Sequence, residues 1–162
     1  MIKSKLEIYY DSCMMDELTD EERLLVERAR EATRNSFAPY SNFHVGAALM
    51  LKNGKVIIGA NQENSAFPSG LCAERTAVFA AQANYPDQPI MMLAIAAADC
   101  NGLRSRPVSP CGSCRQVILQ IESRYNQPVE ILLSGTDKIL RFKSIKDLLP
   151  FSFVDDDLQP ER

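Results

Sequence analysis

The sequence predicts an α/β fold, one layered domain built on a mixed sheet. Three observations carry this. Helical and strand patterns alternate between residues 20 and 145. An Asn53-Gly54 pair separates two apolar runs, which is the strongest short-range hairpin signal. Residues 90–98, IMMLAIAAA, form an unbroken apolar run that is short for a helix and suits a strand covered on both faces.

Taken in order, residues 3–10, KSKLEIYY, partly alternate and are expected to form a first strand. Thr19-Asp20-Glu21-Glu22 has capping-box spacing, and Leu25, Ala29 and Ala32 follow at helical intervals, so residues 20–35 read as an amphipathic helix. Its acidic start suits the positive end of the helix dipole. Pro39-Tyr40-Ser41-Asn42 breaks that helix. Residues 43–52 and 55–60 then form the hairpin, and 61–70, NQENSAFPSG, read as a loop. Residues 72–83 are strong helix formers. The buried strand at 90–98 follows, then a loop with Pro107 and Pro110 and a helix over 111–125. Residues 129–135 and 139–145 are further strands, and DLLPFSF leads into the tail. No internal repeat, low-complexity tract or linker divides the chain, so residues 1–162 are expected to form a single domain.

Composition narrows the function. With 162 residues, the chain can bury a sizeable core without staples, and 46% hydrophobic with 24% charged residues is ordinary for a globular protein. The net charge of −3 gives no sign of a general nucleic-acid binder, which must neutralise phosphates. The longest apolar run is far short of the ~20 residues of a membrane span. The N-terminus lacks the apolar core of a signal peptide, so a cytoplasmic location is expected. The five cysteines (Cys13, Cys72, Cys100, Cys111, Cys114) are an odd set with no export signal, which favours reduced thiols.

Cys111-Gly112-Ser113-Cys114 begins one predicted helix, and Cys72-Ala73-Glu74-Arg75 begins another. A helix N-terminus lowers thiol pKa, so a lone C-x-x-C there could serve redox or metal chemistry. A third cysteine followed two residues later by a glutamate, with Pro110-Cys-x-x-Cys downstream, matches the zinc deaminase signature. Cys72, Cys111 and Cys114 would hold Zn2+, leaving a fourth position open as a catalytic zinc requires. Glu74 would be the proton shuttle. Three thiolates around one dication leave a net negative charge, which two helix N-termini and a bond from Arg75 to a ligand sulfur would offset.

These residues resemble those of the cytidine deaminases, specifically the small homotetrameric type. Tyr40-Ser41-Asn42-Phe43-His44-Val45-Gly46-Ala47-Ala48-Leu49, Gly59-Ala60-Asn61-Gln62-Glu63-Asn64, the two cysteine blocks and Leu148-Leu149-Pro150 with the phenylalanines beyond it are similar to that family's blocks and keep its order. The resemblance covers roughly residues 20–153 and leaves residues 1–18 as an N-terminal extension. It implies a three-layer α/β/α domain with a mixed five-stranded sheet and one zinc per subunit. It implies a cytoplasmic homotetramer that hydrolyses the amidine C–N bond of cytidine and deoxycytidine in pyrimidine salvage. It further implies that Asn61 and Glu63 bind the ribose, that Phe43 packs on the pyrimidine, and that Ala73 offers backbone contacts to the base. Phe67 stands at a substrate-side position where the family usually has tyrosine, and Pro68-Ser69-Gly70 is an unusual stretch. Phe151 or Phe153 would reach a neighbouring subunit's site. His44 is expected to be structural, and Cys13 and Cys100 to have no role.

Other readings stay open at this level. Relatives with the same zinc blocks act on modified cytosine nucleosides such as blasticidin S, although Asn61 and Glu63 favour an ordinary ribose. A polynucleotide deaminase would need a surface for a phosphate backbone. A structural zinc-binding interaction module would need a fourth ligand, for which Cys100 is the candidate, and a redox protein would use Cys111 and Cys114 alone.

Overall fold

A computed structural model describes residues 1–160, so the last two positions of the expected domain lie outside the described residues. The elements are β1 (Asp11–Cys13), α1 (Asp20–Ala32), β2 (His44–Leu51), β3 (Val56–Ala60), α2 (Ala73–Asn84), β4 (Ile90–Asp99), β5 (Gly102–Leu103), α3 (Gly112–Tyr125), β6 (Glu130–Ser134) and β7 (Ile139–Phe142). The capping box forms as the spacing predicts. Thr19 Oγ1 accepts the Glu22 N–H at 3.2 Å, and the Glu22 carboxylate accepts the Thr19 N–H at 2.7 Å. α1 tightens into a 3₁₀ turn over Thr33–Asn35, which accounts for the full helical stretch expected to residue 35. The hairpin turns at Gly54, whose φ of 81° suits glycine. α3 stops at Asn126, a left-handed cap.

The strands pair in the order β1-β7-β6-β4-β2-β3, with β5 beside the end of β4. Only β4 and β6 are parallel, as a strand–α3–strand crossover demands, and the remaining pairs are antiparallel. The faces follow the period-2 alternation. Ala47, Leu49 and Leu51 of β2 and Leu93 and Ile95 of β4 point toward α2 and α3, where they meet Val78, Ile118 and Leu119. Ala48, Met50, Ala94 and Ala96 point to the other face, against Leu25, Val26 and Ala29 of α1. The sheet is thus the middle of three layers, and β4 is apolar from Ile90 to Ala98 because helices cover both of its faces.

Three expectations need correction. The sheet has seven strands rather than five, because β1 and β5 extend it. At three and two residues, both are too short to show a periodic signal. The expected strand at 3–10 does not form. Its side chains alternate, yet all ten leading residues stay exposed, even Tyr10, whose ring stacks on Phe142 at 5.4 Å. Pairing starts only at Asp11–Cys13, where Cys13 is buried. There Arg141 of β7 binds Asp11 at 3.0 Å and the buried Glu22 carboxylate of α1 at 2.8 Å. β7 also ends earlier than residue 145, because Ser144 accepts the Lys146 N–H at 3.1 Å and caps a 3₁₀ turn over Ile145–Leu148.

One contact fixes the start of α2 on the sheet. A Cβ on Gly59 would lie 2.4 Å from the Ala73 carbonyl oxygen and 2.5 Å from the Ala77 nitrogen, both rigid backbone atoms. β3 and the first turns of α2 therefore touch main chain to main chain. Gly59→Ala is expected to push α2 off the sheet and to lower stability by about 1–3 kcal/mol in urea unfolding, as overpacking does. An unchanged unfolding midpoint would show that this approach is not tight.

Candidate active site

The loops that follow β3 and β5 both end at helix N-termini, and these two termini meet. Cys72 is the N-cap residue of α2, Cys111 is the N-cap residue of α3, and Cys114 lies in α3's first turn. Neither cap side chain bonds its own helix's first amides. The positive ends of two helix dipoles therefore lie at the sulfurs. Cys72 Sγ is 3.8 Å from Cys111 Sγ, which is 3.4 Å from Cys114 Sγ, and all three sulfurs fall within 4.8 Å of one another. Tetrahedral zinc with bonds of about 2.3 Å sets neighbouring sulfurs roughly 3.8 Å apart, so this donor set fits the metal. Among the described residues, no fourth histidine, cysteine, aspartate or glutamate joins the group, and Cys100 lies exposed in the turn after β4.

The electrostatics suit a cation. Hydrogen bonding with Cys114, then the Arg75 guanidinium, draws the Cys72 thiol down to about 5 despite its partial burial. Arg75 Nη2 donates to Cys72 Sγ at 3.6 Å, the bond expected for charge tuning, while its buried Nε has no partner. The same bond with Cys72, together with burial, pushes the Cys114 thiol up. Glu74, two residues past Cys72, is 4% exposed, and burial raises its carboxyl above the usual carboxylate range. Burial that favours the acid form in this way suits a group that takes up a proton and passes it on.

These groups face a cavity of about 400 Å³ lined by Cys72, Glu74 and Cys111 at one end and by Phe43, Asn61 and Glu63 elsewhere. That volume is within the usual range for a small-molecule site. Its lining contains no lysine, arginine or histidine among the described residues. Asn61 clasps the entry to β2. Its Oδ1 accepts the Val45 N–H at 2.7 Å, and its Nδ2 donates to the Phe43 carbonyl at 2.9 Å. Glu63 accepts from the 40–41 turn, at 2.8 Å from the Tyr40 N–H and 3.3 Å from the Ser41 N–H, and also from the Ser41 hydroxyl.

The other expected site residues divide. Phe67 lines the cavity from its rim, 73% exposed, with its ring edge-on to Tyr40 at 5.4 Å. Ala73 is fully buried and contributes no side chain to the lining, so only its backbone could take part. Phe151 and Phe153 are 98% and 57% exposed and lie outside this chain's cavity. The tail that carries them is tied to α3, where Gln116 Nε2 donates to the Phe153 carbonyl at 3.0 Å. His44 pairs with Ser36 and does not line the cavity. Ser41, Val45, Leu71, Ile95, Val108 and Ser109 also line it, without having been singled out from the sequence. Only Ser41 and Val45 carried a readable signal, as part of the block that runs from Tyr40 to Leu49.

Three cysteines grouped to hold zinc, with a Pro-Cys-x-x-Cys pair among them and a buried glutamate that is not a ligand beside them, form the constellation of zinc-dependent deaminases. The model of the cytidine and deoxycytidylate deaminase zinc-binding region matches residues 19–126, and the chain belongs to that family. The chain is 37% identical to a cytidine deaminase of Halalkalibacterium halodurans, over 84% of this chain and 96% of that one. It is 38% identical to one of Sporosarcina psychrophila, over 86% and 95%. The crystal structure of a Burkholderia pseudomallei cytidine deaminase superposes with a TM-score of 0.69 at 36% identity, covering 84% of this chain and all of that one. Among the described residues, no helix is long and apolar enough to cross a membrane.

Proposed function

We propose that the protein catalyses the hydrolytic deamination of cytidine and deoxycytidine to uridine and deoxyuridine. The observation that carries this is the placement of three sulfurs at two helix N-termini, beside a buried glutamate and at the end of a nucleoside-sized cavity. Cys72, Cys111 and Cys114 hold one zinc ion per subunit, and the ion supplies, when bound, the Lewis acidity that makes water a nucleophile near neutral pH. The chain's own residues do the rest. Glu74 takes a proton from the attacking water and delivers it to N3 of the cytosine ring as oxygen adds to C4. It then takes the remaining proton from the oxygen added at C4 and passes it to the exocyclic nitrogen, which leaves as ammonia as the C4–N bond breaks and the C4 carbonyl forms. The net change is one water consumed and one ammonia released.

Phe43 packs on the pyrimidine, the Ala73 backbone contacts the base, and Asn61 and Glu63 bind the sugar hydroxyls. A lining with two carboxylates and no cation favours a nucleoside over its phosphate, which would need arginine or lysine partners. The exposed Phe151 and Phe153 suit a role in completing a neighbouring copy's site, so a homotetramer is the proposed assembly. We place the single-domain enzyme in the cytoplasm, in pyrimidine salvage. The test is to incubate zinc-loaded protein with cytidine and with deoxycytidine, following ultraviolet absorbance and ammonia. Equimolar loss of substrate and gain of ammonia is expected. No ammonia from either substrate would overturn the reading.

A further inference from the structure

Within the cavity wall, one hydroxyl has both its donor and an acceptor position committed. Ser41 Oγ accepts the Phe43 N–H at 3.1 Å. Its proton is directed to Glu63 Oε1. The other carboxylate oxygen, Oε2, takes two backbone donors, Tyr40 N–H at 2.8 Å and Ser41 N–H at 3.3 Å. A carboxylate offers about four acceptor positions, so three are filled and the fourth lies on the oxygen that Ser41 holds. Glu63 is only half-buried, and no packed side chain is needed to explain its fixed position, because these three bonds supply it. They also draw its pKa down, with the Ser41 hydroxyl foremost, so the group remains a carboxylate. On the far side, Asn61 Nδ2 holds the Phe43 carbonyl, so Ser41 and Asn61 together bracket the Phe43 backbone.

We propose, resting on the nucleoside-deaminase reading above, that Ser41 is a positioning residue that sets substrate affinity. Its hydroxyl orients the free acceptor position of Glu63 toward a sugar hydroxyl and locks that carboxylate to the backbone of Phe43. The ribose subsite and the ring-packing wall are thereby held in fixed register, 20 residues apart in sequence. Losing the hydroxyl frees Oε1 to rotate away and leaves the reacting end of the cavity, where Glu74 and the cysteines lie, untouched. The effect therefore falls on KM and spares kcat.

The test is steady-state kinetics on cytidine with zinc-loaded wild type, Ser41→Ala, Ser41→Thr, Glu63→Ala and the Ser41→Ala/Glu63→Ala double variant. Ser41→Ala is expected to raise KM about tenfold, the scale of one hydrogen bond to a charged group, with kcat within about twofold. Ser41→Thr, which keeps the hydroxyl, is expected to recover most of that affinity. In the Glu63→Ala background, Ser41→Ala is expected to add less than about a twofold change, because the group it positions is gone. A near wild-type KM in Ser41→Ala, no recovery in Ser41→Thr, or an equal KM rise with and without Glu63 would each overturn the proposal. Failure of the underlying functional reading looks different, since the wild type itself would then leave cytidine unchanged.

Discussion

Glu74→Gln is expected to keep zinc and fold while kcat on cytidine falls by about 10²–10⁴-fold, toward the upper end because one carboxyl serves two proton transfers. Glutamine matches the shape of the glutamate and fits its buried position without strain. It cannot accept a proton from water or pass one to a ring nitrogen. The group sits in the first turn of α2, two residues from Cys72, so any general damage to the helix would also appear as lost metal. Initial rates, elemental zinc analysis and thermal melting on one preparation separate the two effects. A kcat within tenfold of wild type, with zinc retained, would remove Glu74 from the shuttle role.

Cys72→Ala is expected to lower bound zinc to less than about a tenth of wild type after dialysis against a weak chelator, with turnover lost in parallel. The Cys72 thiol is drawn down to about 5, by hydrogen bonding with Cys114 foremost and then by Arg75. Its removal also leaves the Arg75 guanidinium without a sulfur partner. Zinc that binds only the folded state stabilises it by mass action, so added zinc is expected to raise the melting temperature of wild type and not of the variant. Full zinc content and turnover in Cys72→Ala would show that the metal, if bound, sits elsewhere.

The cysteine cluster was legible because it depends on short spacings at helix starts. Cys111 and Cys114 are three apart, Cys72 and Glu74 two apart, and each pair sits where a loop must end and a helix begin. The helices and the four longest strands were legible for a similar local reason, since periodicity, helix-former content and unbroken apolar runs are all read within a short window of sequence. What was not legible depends on distant partners. KSKLEIYY alternates like a strand, yet pairing begins only at Asp11, where Arg141 from the far end of the chain meets it. The clasp of Asn61 on Phe43 and Val45, and the grip of Ser41 on Glu63, link positions 16 to 22 residues apart through loop geometry. No spacing rule reports such contacts. Phe67, Phe151 and Phe153 illustrate the same limit from the other side. Their residue type suggests burial, while the fold leaves all three exposed, Phe67 at the rim of the cavity.

An open metal site with three sulfur ligands has a distinct signature in zinc-edge X-ray absorption of the purified, zinc-loaded protein. One zinc per chain is expected, with three sulfurs at about 2.3 Å and one lighter oxygen or nitrogen scatterer. A shell of four sulfurs would mean that Cys100 closes the site, and would turn a catalytic centre into a structural one.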